Sequence, residues 1–133
     1  MSVEKRWSER DYPHQVITDK IIRDFYNVYN TLGYGFLEKV YENALSHELR
    51  KTGFKVEQQK PIKVIYDQIR VGDYFADIVV DGIVILEIKA IEVLNTAHGQ
   101  QLVNYLKATE IEVGLLLNFG KKPERIRKVF SNK

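Results

Sequence analysis

The chain contains no cysteine. Disulfide staples, cysteine-ligated zinc, iron–sulfur clusters and thiol nucleophiles are excluded on that count alone. No apolar run approaches the ~20 residues that a membrane-spanning helix needs. The opening stretch, MSVEKRWSER, lacks the apolar core of a signal peptide. A soluble, cytoplasmic protein is the expectation. There is no internal repeat and no low-complexity segment. There is also no strong charge of one sign: 20 basic and 18 acidic residues leave a net charge of +2. Bulk charge therefore does not announce a nucleic-acid binder.

What is present is ordinary globular material. Apolar residues make up 44% and charged residues 29% of the 133 positions, which argues against disorder. A chain of this size forms one domain and buries roughly 65–70% of its unfolded surface. We read residues 1–133 as that single domain, with a polar arm at 1–13 and a basic segment at 121–133.

Charge is unevenly distributed. The last segment holds six basic residues (Lys121, Lys122, Arg125, Arg127, Lys128 and Lys133) against one acid, Glu124. A second basic stretch carries Arg50, Lys51, Lys55, Lys60 and Lys63 against Glu57. The remaining body is acidic. This pattern suits a metal–carboxylate centre flanked by phosphate contacts. It suits solvated surface as well, and charge alone favours that plainer reading.

Ile17, Ile21, Phe25, Val28 and Leu32 recur at helical spacing, predicting a helix over 14–31. A second helix is predicted over 36–51 and a third over 96–109. Between them the period falls to two. Strands are expected around 54–58, 62–66, 71–80 and 83–90, with Pro61 separating the first two. A short strand at 113–118 follows the third helix, and alternation at Ile126, Lys128 and Phe130 allows a final one. The predicted class is α/β, a mixed β-sheet flanked by α-helices.

The 83–90 strand is apolar enough to be buried on both faces, yet it contains Glu87 and Lys89. Two apart on a strand, they share a face. Asp77 lies on the preceding strand, across an Asp81-Gly82 turn. Two carboxylates on one face form a hard-oxygen site for Mg2+ or Mn2+, to which the Ile88 carbonyl could add an oxygen. Such a metal lowers the pKa of a bound water from about 15.7 toward neutrality. A neighbouring lysine can position that water or offset charge on a phosphorane. Register tests the idea. A two-residue loop pairs Asp77 with Leu86 and sends Glu87 to the opposite face. A three-residue loop at Val80-Asp81-Gly82 pairs Asp77 with Ile85, on the face of Glu87. The site therefore requires an odd loop or a comparable distortion near Asp77.

Two further patterns flank this strand. The second helix opens with Gly35-Phe36-Leu37-Glu38-Lys39-Val40-Tyr41, a G-x-x-E-x-x-Y pattern. The third carries Gln101 and Tyr105 as Q-x-x-x-Y, one helical turn apart. Each has a plainer reading. Glu38 could simply favour the positive end of its helix. Tyr41 and Tyr105 could be core aromatics with satisfied hydroxyls. Gln101 could be an exposed helix residue. His98 could touch a phosphate or be an ordinary helix-start residue.

Together the stretches GYGFLEKVYENALSHELRKTGFKVE, YFADIVVDGIVILEIKA and QQLVNYLKATEIEVGLLLNFG resemble the PD-(D/E)XK nuclease superfamily, and within it the small prokaryotic GxxExxY proteins. The resemblance implies a restriction-endonuclease-like core and Mg2+- or Mn2+-dependent hydrolysis of phosphodiester bonds in nucleic acid, DNA before RNA. Asp77 and Glu87 match the metal-binding acids and Lys89 the catalytic lysine. Glu38 matches the helical acid that completes the metal site. Gln101 and Tyr105 match a supporting motif, and Tyr41 and Gly35 belong to the family pattern. Ala76, rather than proline, precedes Asp77. Lys121, Lys122, Arg125, Arg127 and Lys128, with His98, are candidates for holding the nucleic-acid backbone. Small nucleases of this fold often act as dimers, so a homodimer is compatible with the resemblance. The alternative is a non-catalytic nucleic-acid-binding or regulatory module that keeps the fold.

Overall fold

The computed structural model describes residues 14–131. The polar arm expected at 1–13, and Lys133 of the basic segment, lie outside them. No helix among the described residues is long and apolar enough to cross a membrane.

Two helices come first. α1 (Gln15–Leu32) buries Ile21, Phe25 and Val28, the stripe its spacing predicts. α2 (Glu38–Lys51) buries Tyr41, Leu45 and Leu49. It begins two residues later than predicted, because Leu37 is still extended and serves as its N-cap. Thr52 at its end donates a hydrogen bond of 2.7 Å to the buried Asp24 of α1, tying the two helices together.

The sheet has five strands in sequence order: β1 (Val56–Tyr66), β2 (Ile69–Val80), β3 (Val84–Lys89), β4 (Val113–Phe119) and β5 (Pro123–Val129). Only β3 and β4 run parallel, joined through α3 (Thr96–Lys107); the other neighbours are antiparallel. α1 and α2 cover one face, over Ile78, Val80, Leu86, Ile88 and Leu115. On the opposite face α3 packs Leu102 and Leu106 against Val79, Ile85 and Leu116. This is the expected α/β class, a mixed sheet between helices, consistent with a restriction-endonuclease-like core.

One expectation is corrected and one is met. The strands predicted at 54–58 and 62–66 are one strand, β1, which runs straight through Pro61. β1 is an edge strand, where a proline can sit with its missing N–H facing away from the ladder. The allowed final strand is real and pairs with β4 along its whole length.

The β2–β3 connection determines what meets across the sheet. Its loop has three residues, as the site requires, but they are Asp81-Gly82-Ile83, one position later than anticipated. Asp81 and Gly82 both take the left-handed conformation, with φ of 52° and 69°. Glycine carries no penalty there, and aspartate is among the residues that tolerate it. Asp81 also accepts a 2.8 Å hydrogen bond from the Lys55 amide, which holds the turn. Pairing then runs Val80↔Val84, Val79↔Ile85 and Ile78↔Leu86. The next position along this register sets Asp77 opposite Glu87 itself, not Ile85.

Candidate active site

The ladder between β2 and β3 ends at Ile78 and Leu86. Beyond it the two strands are joined by side chains. Glu87 Oε2 accepts a hydrogen bond from the Asp77 amide at 3.2 Å. Asp77 Oδ2 accepts one from the Ile88 amide at 2.8 Å. Each carboxylate thus satisfies a backbone N–H that the ladder no longer serves. Ile88, the candidate carbonyl donor, is buried in the core beneath α1 and α2.

Burial makes this pair electrostatically costly. Glu87 is only 7% exposed. Burial first, and then the charge of Asp77, push its carboxyl up to about 8. Asp77 is also raised, chiefly by burial, while its hydrogen bonds to the Ile88 amide and Gln59 act the other way. Lys89, at the end of β3, favours the charged form of both acids. Its strand end is held by Asn118 across β4. The Asn118 side chain accepts from the Ile91 amide at 3.0 Å and donates to the Ile91 carbonyl at 2.9 Å, extending the ladder by one side chain. Gly120 admits this close approach, since a Cβ there would lie 2.3 Å from the Ile91 carbonyl oxygen.

The helical acid that reaches the pair is Glu42, which the sequence reading missed. Glu42 is 4% exposed and adds negative charge against both Asp77 and Glu87. Gln59 bridges the acids, donating to Glu42 Oε1 at 2.9 Å and to Asp77 Oδ1 at 3.3 Å. Gln58 donates to Glu42 Oε2 at 2.8 Å. The Lys39 ammonium lies 3.3 Å from that same oxygen. Gln59 takes a φ of 54° and drops out of the β1–β2 ladder opposite Asp77, a local distortion of the kind anticipated. Glu38 occupies the first helical position of α2 and is exposed, and no described contact links it to the pair. The one signal for Glu42 in the sequence was its place one turn after Glu38, beside the buried Tyr41.

Tyr41 is a core residue. It is fully buried and stacks on Phe119 at 4.2 Å. Its hydroxyl donates to the Gly33 carbonyl at 2.7 Å and accepts from the Phe36 amide at 3.2 Å. The turn it clasps contains Gly35. Tyr105 lies closer to the acids. Burial and the charges of Glu87 and Asp77 push its hydroxyl up to about 12. Gln101, one turn earlier on α3, is exposed and lines a cleft that Tyr105 shares.

His98 belongs to a helix cap. Its Nδ1 accepts from the Asn95 amide at 3.0 Å, while Asn95 Oδ1 accepts from the His98 amide at 3.3 Å. The basic residues of 121–128 do not form one strip. Lys121 and Lys122 are exposed in the β4–β5 turn. Alternation along β5 sends Arg125 toward α1, where it donates to the Tyr26 hydroxyl at 3.3 Å, and Arg127 to that same side. Lys128 passes instead beside Gly99 of α3.

Among the described residues, no three His, Asp or Glu side chains converge as a group that could hold an ion. Asp77 and Glu87 nevertheless suit a hard divalent cation by donor type, and the raised pKa of each carboxyl means that its ionised form would gain from a positive partner. No curated protein and no solved structure matches the chain. A family model described as the PD-(D/E)XK nuclease superfamily matches residues 15–129, a span that takes in Asp77, Glu87 and Lys89. With most of its length so matched, the chain belongs to the PD-(D/E)XK nuclease superfamily.

Proposed function

We propose that the protein is a divalent-metal-dependent nuclease of the GxxExxY branch, acting on DNA. The observation that carries this reading is the direct opposition of Asp77 and Glu87 where β2 and β3 part, with Lys89 on the same face. Asp77 and Glu87 would hold Mg2+ or Mn2+, with Glu42 as the helical acid in the place first expected of Glu38. When bound, the ion supplies Lewis-acid polarisation of a phosphoryl oxygen and an acidified water.

The protein's own groups do the rest. Asp77 and Glu87 are kept in place by the amides of the opposing strand, so little reorganisation is needed to present them. Gln59 orients Asp77 and Glu42 together. Lys89, two residues on from Glu87 along β3, brings a positive charge that favours the ionised form of both acids. Asn118 fixes the chain just beyond it. Burial of Glu87 and Glu42 keeps bulk water from screening their charges, so each acts more strongly than it would in solution.

One observation favours a second reading. The same amide contacts engage both carboxylates with the protein's own backbone, as a non-catalytic module with this fold would need. Titration calorimetry with Mn2+, carried to millimolar metal, separates the two. Binding by the wild type that Asp77→Ala and Glu87→Ala both abolish, together with metal-dependent cleavage of DNA that Glu87→Ala removes, supports the nuclease. Equal metal binding in all three proteins, or none, overturns it in favour of the module.

A further inference from the structure

β2 pairs with β3 over only three positions, Ile78 to Val80, whereas the β1–β2 ladder continues out to Tyr66 and Ile69. The distal half of this hairpin therefore projects beyond the sheet as a two-stranded arm. Such a ribbon is marginal by itself in water. It nevertheless exposes large apolar side chains, among them Tyr66, Ile69 and Tyr74. Between the arm and α3 lies a cleft of about 750 Å3, within the roughly 300–1,000 Å3 typical of small-ligand sites.

The lining of this cleft is specific in character. Tyr74 of the arm is 47% exposed, and its ring meets that of Tyr105 at 5.4 Å with a tilt of 47°. Tyr105 is itself buried, so Tyr74 is the aromatic side chain that the cleft leaves exposed. Lys63 stands on the arm side and Lys107, its ammonium 5.7 Å from the Phe130 ring centroid, on the helix side, and among the described residues no acidic one lines the cleft. Gln100 and Asn104 present amide groups from α3, joined to each other at 3.0 Å. The aromatic face suits a planar ring, the amides suit the donor and acceptor edge of a base, and the two cations suit a phosphate. Tyr105 also connects the cleft to the acids: it packs in one buried cluster with Ala76, the residue before Asp77, and Ile85, two residues before Glu87 on β3.

We infer that this cleft binds an unpaired nucleobase next to the carboxylate pair, and that the substrate is accordingly single-stranded or frayed nucleic acid. The inference rests on the nuclease reading and names the substrate form for that site. A base within a duplex has both faces stacked and its edge paired, so it could enter only after flipping, which costs the lost stacking and pairing. An unpaired base stacks on Tyr74 at no such cost.

The test is fluorescence anisotropy in EDTA, with a labelled, unstructured, short oligodeoxynucleotide and the same strand annealed to its complement. The wild type is expected to bind the single strand more tightly than the duplex. Tyr74→Ala should weaken single-strand binding by about 5- to 100-fold, the usual effect of losing one stacked base. Tyr74→Phe keeps the ring and should stay near the wild type. Tyr66→Ala, on the same arm but outside the cleft, should do likewise. Lys63→Gln, at an exposed position with little bearing on folding, should lower the salt dependence of binding by about one phosphate contact, a slope change near 0.7. Preference for duplex, or a folded Tyr74→Ala with wild-type affinity and an unchanged salt slope in Lys63→Gln, overturns the proposal. Because no metal is present and no cleavage is read, that failure leaves the carboxylate site to the calorimetry, and failure there leaves this binding result standing.

Discussion

Asp77 and Glu87 lie opposite each other one position past the last β2–β3 ladder pair, and the carboxylate of Glu87 accepts the amide hydrogen of Asp77. Two acids that repel are thus fixed beside one another by the backbone. The stability they forgo is recoverable by a proton or a cation.

The proton makes the first prediction. Folding moves the Glu87 carboxyl from its ordinary 4.5 up to about 8. Between those values the folded state holds a proton that the unfolded state has released. The contribution to stability is full below about 4.5 and is lost as pH rises through about 8. Asp77, also raised, adds in the same direction. In EDTA, the melting temperature should fall across this window, and Glu87→Gln should flatten the slope. Melting curves that rise with pH over the same range would contradict the environment described for Glu87.

The cation makes the second. A divalent ion that binds only the ionised pair stabilises the fold by mass action. Mn2+ should therefore raise the melting temperature of the wild type above about pH 8, where Glu87 is charged, more than near its ordinary 4.5. An equal rise at both ends, or a full rise in Glu87→Gln, would place the ion elsewhere.

Glu42 and Glu38 offer a direct comparison on one helix. Glu42 is buried and joined to Asp77 through Gln59, whereas Glu38 is exposed. Glu42→Gln should weaken Mn2+ binding by about 10- to 100-fold, as loss of a group that orients metal ligands commonly does. Glu38→Gln should change it by about twofold or less, the scale of one exposed charge. The reverse order in calorimetry would restore Glu38 to the site.

Tyr41 and Asn118 should act on stability. Tyr41→Phe removes a hydroxyl that serves both the Gly33 carbonyl and the Phe36 amide. Asn118→Ala strands the Ile91 amide and carbonyl. Each should cost about 1–3 kcal/mol in urea unfolding. Tyr41→Phe should leave Mn2+ affinity unchanged; a loss of metal binding without a loss of stability would make Tyr41 part of the site.

Much of this protein was legible from residue order alone. The stripe Ile21, Phe25 and Val28 defined α1, because a helix buries one face at a fixed period. Charged Glu87 and Lys89 inside an apolar strand marked the candidate site, because such burial is costly without a purpose. The need for an odd loop before Glu87 followed from strand alternation. What the sequence could not supply was the exact register. One residue of difference in the loop, Asp81 to Ile83 instead of Val80 to Gly82, moved the partner of Asp77 from Ile85 to Glu87. Nor did it point to Glu42: it named Glu38, four residues earlier on the same helix, whereas Glu42 is the one whose side chain is joined to Asp77 through Gln59. That link depends on how far α2 extends along β1 and on where Gln58 and Gln59 stand. The unity of β1 across Pro61, the division of the basic residues between the two faces of β5, and the cleft between Tyr74 and α3 are of the same kind. Local periodicity is a property of neighbouring residues and is written in their order. The meeting of residues far apart in the chain depends on how whole elements pack, and only the tertiary structure decided it.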